Sequence, residues 1–134
     1  MNHHKDLPVF FASLSKDTSL TGVNAILKFD DVRTNRRHGY NPSTGIFTAP
    51  QKGIYQFNCL IRVNGNSQLH FQLRKNSKLF TMGYASKNHY NSQTISSILE
   101  LKEGDRVYIQ HRHVGSAENI RGDHSSTFSG YLLT

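Results

Sequence analysis

The chain has 134 residues, a formal net charge of +7 and a sequence pI near 9.8. Its length suggests one domain, large enough to bury roughly two-thirds of its unfolded surface without disulfide staples. The lone Cys59 excludes an intrachain disulfide, and the lack of an apolar run of about 18 residues excludes a membrane-spanning helix. The charge favours anionic partners (nucleic acid, acidic glycans, lipid headgroups or bacterial surface polymers) without choosing among them.

Residues 1–7 are polar and read as a flexible N-terminal segment, followed by a globular domain over residues 8–134. No secretory leader is legible in Met1-Asn2-His3-His4-Lys5-Asp6, a start compatible with a mature fragment and with a leaderless cytoplasmic chain alike. Residues 8–14 read as a first strand, with Pro8 at its start, where a missing N–H does least harm. A polar loop over 15–21, a short second strand over 25–29 and a basic loop over 33–38 follow. Asn41-Pro42-Ser43-Thr44-Gly45 is a turn signal: Pro42 fixes φ, and Gly45 can take φ > 0. Ala49-Pro50-Gln51-Lys52-Gly53 is a second. Between them Ile46-Phe47-Thr48 reads as a short strand, predicted to form a meander with the long strand after it.

That long strand, over 54–63, alternates cleanly. Tyr55, Phe57, Cys59, Ile61 and Val63 share one face, and Gln56, Asn58 and Arg62 the other, with Ile54 and Leu60 as apolar exceptions. Such alternation predicts a sheet with one face in the core. Cys59 falls on the apolar parity, as a buried and inert thiol would. Asn64-Gly65-Asn66 signals a hairpin. Leu69, Phe71 and Leu73 then point inward, and Asn76-Ser77 turns into a strand over 79–82. A loop over 84–94, a strand over 95–101 and the turn Glu103-Gly104-Asp105 come next. Val107, Ile109, His111 and His113 share one parity. A long polar loop over 115–124 precedes a closing strand over 127–133. No segment shows helical spacing, and some ten short strands predict an all-β sandwich.

Phe29-Asp30-Asp31-Val32, Asn35, the run Tyr40-Asn41-Pro42-Ser43-Thr44-Gly45-Ile46-Phe47-Thr48-Ala49-Pro50, and Gly53-Ile54-Tyr55-Gln56-Phe57 together resemble the central motif of the complement C1q globular-head family. The likeness continues at Gly104-Asp105-Arg106-Val107 and at Ser126-Thr127-Phe128-Ser129-Gly130-Tyr131-Leu132-Leu133. It covers the chain from about Val9 to the end. The resemblance implies a ten-stranded jelly roll of two antiparallel sheets, the fold shared with tumour necrosis factor, assembled as a homotrimer. It implies binding rather than catalysis and an extracellular, secreted setting. The family often has glycine where Arg37 stands. No collagen-like Gly-X-Y repeat is present, so the chain resembles the stalkless invertebrate members, innate-immune lectins of microbial or cell-surface glycans such as lipopolysaccharide. Calcium is expected from the family alone; the nearby acids are few, and Ser92 stands where aspartate is frequent.

Basic residues cluster in the predicted loops. Arg33, Arg36, Arg37 and His38 form one group, Lys75, Lys78 and Lys87 a second, and His111, Arg112, His113, Arg121 and His124 a third. Arginine forks suit carboxylate, sulfate and phosphate oxygens, so Arg33, Arg36, Arg37, His38, Arg112 and Arg121 are the candidate anionic-glycan site. A merely solvated loop surface explains the same residues. Nucleic acid ranks lower, because no stacking platform or duplex-reading helix can be picked out. His111-Arg112-His113 has zinc-compatible spacing, but isolated pairs of this kind are usually plain surface or interface residues, and no metal site is assigned. Protonated histidines would strengthen anion binding at acidic pH.

No nucleophile elbow, phosphate-cradling glycine loop or His-Glu-X-X-His is present, so an enzyme is not expected. Asp30 and Asp31 are neighbours that would point to opposite faces, and turn chemistry accounts for Asp105. In the last strand Phe128, Gly130 and Leu132 share one face and Tyr131 and Leu133 the other. Tyr55, Phe57, Tyr131 and Leu133 are candidates for the trimer junction or the core beneath it. A cytokine-like trimeric ligand for a protein receptor is the alternative function, and a structural or storage module a third.

Overall fold

The computed structural model describes residues 6–22, 24–112, 115 and 117–134. Its elements are all strands: β1 (Val9–Ser13), β2 (Thr18–Leu20), β3 (Asp31–Arg36), β4 (Tyr40–Asn41), β5 (Ile46–Thr48), β6 (Gly53–Arg62), β7 (Leu69–Lys75), β8 (Lys78–Ala85), β9 (Ser92–Leu101), β10 (Arg106–His111), β11 (Glu118–Ile120) and β12 (Thr127–Leu132). Ten of them make two five-stranded antiparallel sheets. The first runs β3-β1-β12-β6-β9 and the second β4-β5-β10-β7-β8, while β11 and β2 form a separate ribbon. This is the expected jelly-roll sandwich.

Alternation creates the core. Tyr55, Phe57, Cys59 and Ile61 of β6 are fully buried, as are Phe10 of β1 and Phe128 of β12. Facing them from the second sheet, Tyr40 stacks on Phe10 at 4.9 Å between ring centres and Phe47 on Phe10 at 5.1 Å. Phe47 also meets Phe57 edge-on at 5.4 Å. Each fully buried ring of this kind contributes roughly 2–3 kcal/mol by removal from water. The Tyr40 hydroxyl accepts from the Phe29 N–H at 2.9 Å and donates to the Phe29 carbonyl at 3.0 Å. Burial pushes the Tyr40 phenol far above its ordinary range, so it stays protonated as this donor. Gly45 takes φ +79°, and a Cβ there would sit 2.3 Å from the Leu27 carbonyl oxygen. Only glycine satisfies both demands.

Several sequence expectations change. Residues 25–29 are not a strand; they make a single bridge, Ile26 to Gln110, while Leu27 and Phe29 enter the core from a loop. Residues 33–36 belong to β3 rather than to a loop, and short strands β2 and β11 lie inside the two predicted polar loops. β5 and β6 lie in different sheets, so they form no meander. Asn64-Gly65-Asn66 is no hairpin either: β6 pairs with β9 and β12, and the turn carries the chain across to β7 in the other sheet. β8 and β9 extend into the predicted 84–94 loop from both sides.

The first sheet has two distinct ends. Near Ile54 the C-terminus closes the fold: the Ile54 N–H donates to the Thr134 carbonyl at 2.8 Å, and the Leu132 N–H to the Pro8 carbonyl at 3.1 Å. Arg36 lies at this end, in register with Val9, Tyr131 and Gln56 across the sheet. Arg62 lies at the other end, six residues further along β6, a distance of about 20 Å at strand rise.

Candidate anion-binding surfaces

The predicted arginines divide between the two ends. At the near end, β3 is an edge strand and turns into β4 through Arg37 and His38, both left-handed at φ 67° and 54°. Left-handed backbone disfavours ordinary side chains by roughly 1 kcal/mol or more. Arg37 is tied down by its guanidinium, which donates to Gln51 Oε1 at 2.9 Å and reaches the Asp6 carbonyl at 3.5 Å. This explains how arginine is accommodated at a glycine-like position. Arg36 and His38 are exposed. Arg33 reaches toward the other end instead: its Nε lies 2.8 Å from Asp31 Oδ2, the oxygen that His124 also meets, and Asp31 is in register with Ser13, so its charge is already partly neutralised.

At the far end, Arg121 sits beside a residue the basic grouping left out. Val63 and Ile120 form an antiparallel bridge, and the Arg121 N–H donates to the Arg62 carbonyl at 2.8 Å. The two arginines therefore face each other across the pair. Their guanidinium carbons lie 5.7 Å (Arg62) and 5.3 Å (Arg121) from the centre of the Tyr90 ring. Arg62 Nε also donates to the Tyr90 carbonyl at 3.3 Å. Tyr90 is itself left-handed, at φ 51°, and its N–H is held by the Gly65 carbonyl at 2.7 Å. A shallow hollow of about 310 Å³ opens here, lined by Leu60, Arg62, Tyr90, Ser92, His124 and Ser125. His124 Nδ1 lies 2.9 Å from Ser13 Oγ and 3.2 Å from Asp31 Oδ2.

The remaining members of the late basic group lie elsewhere. His111 is fully buried: its Nε2 is 2.9 Å from Glu118 Oε1 and its Nδ1 2.9 Å from the Gly22 carbonyl. Glu118 Oε2 also meets His70 Nδ1 at 2.8 Å, and Oε1 accepts from the His70 N–H at 2.8 Å. Burial opposes ionisation of Glu118, but these donors from His70 and His111 outweigh it and hold the carboxyl below its ordinary range. His111 is thus a structural residue. Its supposed partner in chelation, His113, lies outside the described residues. Among the described residues no three His, Cys, Asp or Glu side chains group as a metal site. Arg112 is exposed, its N–H donating to the His70 carbonyl at 2.9 Å. Burial pushes the Cys59 thiol well up, against thiolate chemistry. Asp30 and Asp31 diverge: one is taken by Ser15, the other by Arg33 and His124.

Sequence reasoning missed two features. Arg62 was legible as an outward residue of β6, but its meeting with Arg121 and Tyr90 depends on contacts remote in sequence. The second is a cleft of about 500 Å³ near the C-terminal end, where Lys52, Lys75 and Lys102 gather. Lys75 Nζ there donates to the Glu100 carbonyl at 3.0 Å.

The four interface candidates also divide. Tyr55 and Phe57 are wholly inside the sandwich, which corrects their placement at a junction between copies: they are core. Tyr131 and Leu133 are exposed, with Phe11, Ile54 and Ile98 also exposed on strands of the first sheet. The edge strand β8 exposes Leu79, Phe80, Met82 and Tyr84. An exposed apolar edge of this length is a surface that proteins ordinarily cover.

Residues 9–133 match the C1q domain. The chain is 31% identical to mouse (Mus musculus) collagen alpha-1(X) chain over 130 residues, 95% of this chain and 19% of that one. It is 32% identical to one of the polypeptides of the mouse complement C1q subcomponent over 126 residues, 92% of this chain and 49% of that one. It therefore spans about half or less of these relatives. Among solved structures, the globular domain of zebrafish complement 1qA protein superposes with a TM-score of 0.76 at 18% identity, covering 95% of this chain and 98% of that one. The Eiger TNF of S. frugiperda gives 0.77 at 13% identity, covering 97% and 94%. At these identities the two structures speak to the fold alone.

Proposed function

Since the chain belongs to the C1q domain family, we propose that it is a recognition protein rather than an enzyme. Its proposed role is that of a secreted, innate-immune lectin for anionic microbial or cell-surface glycans. The observation that carries this reading is the surplus of unneutralised guanidinium. Among the described residues, Arg33 is the only arginine in an ion pair with a carboxylate. Exposed arginines without internal partners suit bidentate binding of carboxylate, sulfate or phosphate.

Assembly as a homotrimer belongs to the same proposal. Tyr131, Leu133 and the apolar edge of β8 supply greasy surface for neighbouring copies, leaving the arginine-bearing turns on the rim. Three copies would bind a repetitive anionic surface by avidity, multiplying weak single-site affinity by roughly 10² or more.

A glycan array at two salt concentrations, with and without calcium, tests the reading. Retention of acidic glycans that weakens with salt is expected. Capture of one protein receptor from host-cell membranes, with no saccharide retained, would replace it by a cytokine-like ligand. Arg36→Ala with Arg37→Ala should weaken retention; unchanged retention removes the near-end turn from the site.

A further inference from the structure

We propose that Arg62, Arg121 and Tyr90 form a subsite for a single acidic sugar residue, its anionic group held by the two guanidiniums. The proposal rests on the glycan-binding reading and locates one site within it. Two observations carry it independently. Arg62 and Arg121 are cross-strand neighbours, a like-charge arrangement that ordinarily destabilises a pair of strands. Neither has a carboxylate partner among the described residues. The nearby Asp17 is occupied by the Asn64 amide at 3.1 Å and the Gly122 N–H at 2.7 Å, and Asp31 by Arg33 and His124. Among the described residues the repulsion is therefore offset by Tyr90 alone and by no carboxylate.

The second observation is that the pair is built to hold its place. Ser126 is fully buried. Its hydroxyl accepts from the Arg62 N–H at 3.0 Å and donates to the Arg121 carbonyl at 2.9 Å, joining the two arginine backbones. The Tyr90 ring, held on a left-handed backbone, gathers both guanidiniums by cation–π contact. Side chains fixed before the ligand arrives lose less entropy on binding it.

The hollow of about 310 Å³ beside them has room for one sugar ring; Arg62 and Tyr90 line it, and Arg121 adjoins it over the Tyr90 ring. Ser92, Ser125 and His124 line it with polar groups for ring hydroxyls, and Leu60 gives it an apolar side. Both His124 contacts engage Nδ1, which leaves Nε2 for a ligand. The anionic group is a carboxylate, a sulfate or a phosphate; all three match a pair of arginine forks.

The test is calorimetric titration of the full chain with glucuronic acid, glucose 6-sulfate, glucose 6-phosphate and, as control, glucose. At least one acidic sugar should bind and glucose should not; the acid that binds best identifies the source of the anion. Arg62→Ala with Arg121→Ala should weaken that binding at least tenfold, and Arg62→Lys with Arg121→Lys should recover only part of it. Lys28→Ala, at an exposed position outside the lining of the hollow, should leave it unchanged. Equal binding by wild type and by the Arg62/Arg121 double variant overturns the subsite, while retention of acidic polysaccharide by both leaves the lectin reading standing. Absence of binding by every acidic sugar also overturns it, as does a double variant that loses only its oligomeric state. If acidic polysaccharides fail as well, the lectin reading falls with it.

Discussion

Glu118 and Arg121 are three residues apart, yet the clusters they belong to handle charge in opposite ways. Glu118 is buried and fully engaged, taking the His70 backbone N–H and one ring nitrogen each from His70 and His111. Arg121 faces Arg62 beside the same ribbon, and neither has a carboxylate partner among the described residues. The first arrangement spends its hydrogen bonds inward and stabilises the fold. The second leaves them outward and makes sense with a ligand. A high count of basic and histidine residues in one stretch of sequence therefore does not mark one site; burial decides which are structural.

The largest effect should come from removing the compensated carboxylate. Glu118→Ala removes the buried carboxylate that both imidazoles and the His70 N–H engage, and loss of about 3 kcal/mol in chemical denaturation is expected. A near-neutral result would mean the cluster is not a structural tie. The acid limb of stability sharpens the same point. Glu118 has its pKa lowered in the fold from an ordinary 4.5, so its stabilisation is present above about 4.5 and is lost as pH falls through the lower, folded value. Asp30 and Asp105 are lowered too, by different partners. Glu118→Gln should flatten part of that acid limb in thermal melts across pH.

Next comes the turn that carries His124. A Cβ on Gly122 would lie 2.1 Å from the Lys16 carbonyl carbon, a backbone atom. Gly122→Ala should cost about 2 kcal/mol and shift the His124 resonances in NMR spectra. Ser126→Ala removes the hydroxyl between the two arginine backbones, at a cost of about 1–2 kcal/mol, and should weaken anion binding as well. The smallest stability effect belongs to the uncompensated pair: Arg62→Ala with Arg121→Ala should stay within about 0.5 kcal/mol of wild type. A large loss would show that these arginines hold the fold together.

Legibility in the sequence followed burial. β6 and β12 alternate because one face packs on the aromatic core, and their parity correctly separated Tyr131 and Leu133 from Phe128 and Leu132. β3 was invisible because it is an edge strand with little buried surface and a basic composition. Residues 25–29 misled because Leu27 and Phe29 are buried without strand pairing. Arg36, Arg37 and His38 are contiguous in sequence, which makes them legible as a group. The far-end group was not, since Arg62, Tyr90 and Arg121 meet only through a bridge between distant segments. Tyr55 and Phe57 were placed on the right face of β6, but nothing in a strand's periodicity tells a protomer's own core from its junction with another.

If arginine rather than apolar surface selects the ligand, charge should decide which polymer is bound. The most direct measurement is the affinity of the wild-type protein for a uronic-acid polysaccharide and for its uncharged counterpart across a range of salt. Steep weakening with salt is expected for the acidic polymer, with no measurable binding of the neutral one. Equal affinity for both polymers, unmoved by salt, would contradict selection by charge.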